Sequence, residues 1–162
     1  MTKNLTVTNE FIWYQKCIFN GNGKLNLYGL STIAFPFADS TWQALFANIT
    51  VNNYGYTSIS SGSNNTLFSN TWNNFASISV RGNKLSIFFS FLGSQYTFSK
   101  MNNFGSITTD SYISLTGSSS SNSTISSISV DLTNFDFNGH ISAQSLTLNI
   151  GSIIRGTLDV KS

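Results

Sequence analysis

The chain has 162 residues, of which 9% are charged, against roughly 25% in an ordinary soluble domain, and its formal net charge is +2. Its eight cations are scattered and form no basic stripe, which argues against a nucleic-acid partner, and no apolar run is long enough for a transmembrane helix. One histidine (His140) and one cysteine (Cys17) cannot build a zinc site or an intramolecular disulfide, so neither metal nor cofactor is expected.

The length fits a single domain over residues 1–162, large enough to hold its core without covalent staples. Leu5 and Val7 open a short strand. The runs 11–19 and 25–33 flank Asn20-Gly21-Asn22-Gly23, which reads as a hairpin turn placing Phe19 opposite Leu25 and Cys17 opposite Leu27. The N-terminal MTKNLTVTNEF has no apolar h-region, so no cleavable signal peptide is expected. One short helix is predicted near 40–47, where Ser40 and Gln43 form a capping box after Pro36. Ile49 and Val51 resume β structure.

The stretch 52–74 mixes aromatics with amides. Tyr54, Tyr56, Trp72 and Asn73 are the residues there that would suit a carbohydrate, because flat rings stack on sugars and amides bond hydroxyls. From 76 to 98 the alternation predicts a three-stranded antiparallel meander. Turns at Gly82-Asn83 and Gly93-Ser94 pair Val80 with Leu85 and Phe89 with Phe98, and Phe88 falls on the otherwise polar face. Ile113 and Leu115 mark a strand before a Ser-rich stretch, 116–124, that reads as a loop.

The last forty residues carry an anomaly. Ile128, Val130 and Leu132 alternate, then Phe135 and Phe137 take the opposite parity. Beyond Asn138-Gly139-His140, Ile141 and Ala143 give way to Leu146, Leu148 and Ile150. A strand in one sheet keeps its buried face. Read as a hairpin, both arms change face together near Thr133–Asn134 and Gln144–Ser145, and the chain ends in a strand through Leu158 and Val160. The tip then packs elsewhere in the core or on a neighbouring subunit. No internal repeat is apparent.

The expected fold is therefore all-β, an antiparallel sandwich built largely of meander hairpins, with a barrel and then a jelly roll as alternatives. The carboxylates Asp39, Asp110, Asp131, Asp136 and Asp159 are dispersed and His140 sits at a turn, so no enzyme is expected. Near-absence of charge favours a self-assembling structural protein. A virion component (capsid, decoration, fibre or spike) or other surface-lattice subunit would also reconcile an extracellular-looking composition with the missing signal. Phe88, Phe135, Phe137 and His140 are its expected assembly contacts, in a homo-oligomer or with other surface proteins. A carbohydrate-binding module is the alternative, and a lipid-binding or pore-forming β protein the third reading.

Overall fold

The computed structural model describes residues 3–14, 19–35, 43–44, 46–47, 49–61, 65–82, 95–109 and 112–161. Within them the regular structure is strand throughout. The first strands are β1 (Leu5–Val7), β2 (Glu10–Tyr14), β3 (Phe19–Asn20), β4 (Lys24–Leu27), β5 (Leu30–Phe35), β6 (Gln43–Ala44) and β7 (Phe46–Ala47). Next come β8 (Thr50–Asn53), β9 (Tyr56–Ser61), β10 (Asn65–Asn74), β11 (Ser77–Gly82), β12 (Gln95–Asn103) and β13 (Ser106–Thr109). The chain closes with β14 (Tyr112–Ser119), β15 (Thr124–Phe137), β16 (His140–Leu148), β17 (Ile153–Ile154) and β18 (Thr157–Val160).

Among the described residues every strand pair is parallel, and the strands in the middle of the stack bond to the segment one coil earlier and to the segment one coil later. Three continuous ladders result. The first runs through β1, β4, β8, the C-terminal halves of β10, β12 and β14, the end of β15, and β17. The second runs through β2, β5, β9, β11, β13, the start of β15, β16 and β18. The third joins β6 to the N-terminal halves of β10, β12 and β14, the middle of β15 and the end of β16. Long strands bend through corners and so belong to more than one ladder, β10, β12, β14 and β16 to two and β15 to all three. The chain is a parallel β-solenoid. β3 and β7 pair separately, Phe19 with Phe46.

Inside the coils the alternating side chains stack in columns. One runs Leu25, Val51, Trp72, Met101, Gly117, Phe135. Another runs Ile78, Ile107, Ile125, Ile141. The large members are buried, Trp72, Phe135 and Phe137 completely, and burying each such side chain contributes about 1.5–3 kcal/mol. Corners need small or left-handed residues. Gly55 turns the chain between first and second ladders, where a Cβ would lie 2.2 Å from the Gly29 carbonyl oxygen one coil below. Asn134, at φ 47°, turns it between third and first, as suits an amide residue in the left-handed region.

This architecture overturns the antiparallel sandwich, and with it the barrel and jelly-roll alternatives. A strand has two edges. Both edges of β11 are taken by parallel neighbours, β9 and β13, so Val80 lies between Ile59 and Thr109 and no hairpin fits there. The predicted partner Leu85 and the turns at Asn83 and Gly93-Ser94 lie outside the described residues, as do Cys17 and Pro36. Leu25 pairs with Leu5 and Val51 rather than with Phe19. Gln43–Ala44 and Phe46–Ala47 are strands, which removes the short helix; its cap at Ser40 lies outside the described residues. Much of the Ser-rich stretch is the end of β14, and Asn138-Gly139 is a corner instead of a hairpin tip. β15 and β16 run parallel, Val130 beside Leu146 and Ile125 beside Ile141. The parity changes are the solenoid corners, where the inward alternation restarts on a new face.

A column of asparagines crosses the core. The Asn53 side-chain amide donates to Asn74 Oδ1 (2.8 Å) and to the Ser77 carbonyl (3.0 Å). Asn74 repeats this with Asn103 Oδ1 (2.8 Å) and the Ser106 carbonyl (2.9 Å), and Asn103 donates to the Thr124 carbonyl (3.4 Å). Thr57 Oγ1 donates to Asn53 Oδ1 (2.9 Å), closing the lower end. All three residues are fully buried, so each amide depends on the coil above. Asn74→Ala should cost on the order of 3 kcal/mol, because it strips the Asn53 donor and the Asn103 acceptor of partners that water cannot replace. Thermal unfolding should show a Tm lowered by roughly 6–12 °C. The half-buried neighbour Asn73→Ala should cost about 1 kcal/mol.

Candidate functional site

Two surfaces stand out, a striped flank and an open end. On the flank, alternate residues of the first ladder point outward. Asn52 donates to Asn26 Oδ1 (2.7 Å), Asn73 to Asn52 Oδ1 (2.7 Å) and Asn102 to Asn73 Oδ1 (2.8 Å). Thr6 Oγ1 accepts from Asn26 and Ser118 Oγ donates to Asn102 at the two ends, both at 3.3 Å. Beside this amide ladder, at the corner, lies a ladder of rings. Tyr28, Tyr54, Phe75 and Phe104 stack with centroids 4.6, 4.7 and 5.0 Å apart and planes within 12° of parallel. The spacing is that of hydrogen-bonded strands, roughly 4.7–4.9 Å, so the backbone sets the ring separation.

Stacking decides what the stripe can do chemically. Tyr54 and Phe75 each have a ring on both faces, so their edges meet solvent while the π-faces that would hold a sugar are covered. The rings chiefly support one another. Of the residues expected to bind carbohydrate, Tyr54 is thus a ladder member and Asn73 belongs to the outer amide ladder. Trp72 is completely buried between Val51 and Met101 and offers no surface. Tyr56 is exposed on the far side of the corner, in a column with Leu30 and Ser77.

The expected assembly contacts also separate. Phe135 and Phe137 are completely buried in the chain's own core. His140 is exposed on the second ladder, its Nδ1 2.8 Å from Thr157 Oγ1 one coil on. Phe88 lies outside the described residues.

The open end is where core columns run out. Ile141 and Ala143 are 0% and 4% exposed, but their successors Leu158 and Val160 are 43% and 45%. Leu132 is fully buried, whereas Leu148 above it is 50% exposed. Ile150 and Ile153 add to the same apolar end. The charges near it point outward: Arg155 bonds Asp136 through Nε and Nη2, each at 3.1 Å, in an exposed pair of little net stabilisation.

Among the described residues no three His, Cys, Asp or Glu side chains converge on a possible metal position, and no helix is long and apolar enough to cross a membrane. Comparison with family models, with curated proteins and with solved structures gives no match to this chain. The striped flank had a sequence signal that alternation alone did not reveal. The segments Leu25-Asn26-Leu27-Tyr28-Gly29, Val51-Asn52-Asn53-Tyr54-Gly55, Trp72-Asn73-Asn74-Phe75-Ala76 and Met101-Asn102-Asn103-Phe104-Gly105 are one repeat, corrected from the expectation of none.

If the rings serve the fold, truncation should be felt as stability. Phe75→Ala loses two stacked neighbours and should cost about 2 kcal/mol, while Tyr28→Ala, with one ring neighbour in the ladder, should cost about half as much. Urea unfolding of the two variants measures the difference.

Proposed function

We propose that this protein is a structural, self-assembling β-solenoid subunit, of the kind that builds rods, fibres or surface lattices. One observation carries the reading: columns that are completely or almost completely buried within the stack end in Leu148, Leu158 and Val160, each at least 43% exposed. Solenoids stay apart in solution by closing their ends with polar repeats. Sheet edges are protected by charges, proline or a covering segment. This end carries Asp159 and Lys161 on its outer side and no charge in its inward columns.

The original motive of a tip reaching into a neighbour falls away, because the parity changes are corners within one chain. The low charge content keeps its force. Glycan binding draws less support, with Trp72 in the core and the faces of Tyr54 covered. The lipid-binding reading rested on long amphipathic hairpins, and all pairing among the described residues is parallel.

Light scattering across a hundredfold range of concentration tests the proposal. The mass should rise above that of one chain as concentration increases. A mass of one chain throughout the range overturns it.

A further inference from the structure

The open end is a template of fixed register, and the other end of the same molecule fits it. Extending the second ladder by one coil would bring Thr157, Leu158, Asp159 and Val160 beside four residues of an incoming strand. The bottom strand of that ladder, β2, begins Glu10, Phe11, Ile12, Trp13, and these residues occupy the same columns one to one. Leu158 would then meet Phe11, and Val160 would meet Trp13. In the first ladder, Ile153 and Ile154 of β17 lie in the columns of Thr6 and Val7. Val7 and Phe11 are only partly buried against the core, and Leu5 is 40% exposed, so the lower end also has apolar surface to cover.

We infer that a second copy of this chain docks head to tail on the open end, its β1 and β2 continuing the ladders of β17 and β18. This rests on the self-assembly reading and gives it a geometry. Apolar meets apolar in the inward columns. On the outer side Asp159 falls beside Ile12 and Arg155 beside Thr8, so no column sets like charges together. The corner also fits. Asn9 would stack on Gly156, a column that already accepts the non-glycine residues Ala76 and Ser123. Such a contact is heterologous, using different patches on the two partners, so it does not close on itself and permits growth into a rod.

Variants blocked at one end test this. Leu158→Lys blocks the top and Phe11→Lys the bottom. Either alone should raise the concentration for half-assembly more than about tenfold, since a lysine would be buried unpaired. Mixed one to one, they retain one good top and one good bottom, and should form a species of two chains that grows no further. Circular dichroism and cooperative unfolding check each fold, and Leu5→Lys replaces Phe11→Lys in the same mixture if the latter does not fold. If both single variants still assemble as the wild type does, the contact lies elsewhere and the head-to-tail inference falls while self-assembly stands. A mixture that stays at one chain, when the wild type assembles, also overturns it. A wild type that never associates removes the self-assembly reading itself.

Discussion

Everything distinctive in this molecule follows from in-register parallel stacking at the spacing of a hydrogen-bonded sheet, roughly 4.7–4.9 Å. Each residue sits directly over its counterpart one coil below, so the useful side chains are those that profit from meeting their own kind. Asparagine does, because its amide both donates and accepts, and the two amide ladders pass one bond per coil. Aromatic rings do, at centroid distances of 4.6–5.0 Å. Aliphatic residues do, as the isoleucine column from Ile78 to Ile141 shows.

Charge is what such a stack tolerates least. Two like charges one coil apart would face each other across about 5 Å with no room to separate. In the paired registers each charged residue has uncharged neighbours: Lys24 beside Thr50, Lys100 beside Thr71, Asp131 between Ser114 and Thr147, Asp136 between Ser118 and Ile153. A content of 9% charged residues is therefore first a property of the fold. Its effect on association is a consequence, since a surface without repulsion leaves the apolar end free to find a partner.

Period-two alternation made the strands legible, and Leu5–Val7, Ile113–Leu115 and Val130–Leu132 fall where the pattern puts them. Strand direction was not legible, because a hairpin turn and a solenoid corner use the same residues. Asn138-Gly139 would serve either. What distinguishes them is the step of three from Leu132 to Phe135 and from Ala143 to Leu146, where a continuing strand would step by two. Those steps were visible but fit a bent hairpin equally well. The repeat around Tyr28, Tyr54, Phe75 and Phe104 was hidden by coils of unequal length, Leu25 to Val51, Val51 to Trp72 and Trp72 to Met101 being 26, 21 and 29 residues. Trp72 and Asn73 looked like one site because they are adjacent, yet adjacent strand residues point to opposite sides. The apolar end could not be read at all, since Leu158 and Val160 alternate as core residues do and only the structure shows them exposed.

Coil stacking itself is most directly tested by distances between spin labels along one outward column. Thr32, Ser58, Ser79, Thr108, Ser126, Ser142 and Asp159 occupy successive coils of the second ladder. With Cys17 replaced by serine, a label at Thr32→Cys is paired in turn with labels at positions 126, 142 and 159. Backbone separations of roughly 19, 24 and 29 Å are expected, one strand spacing per coil whatever the number of intervening residues. Distances that fail to rise in equal steps, or a separation to position 142 no greater than that to 126, would contradict the parallel solenoid and return the chain to antiparallel pairing.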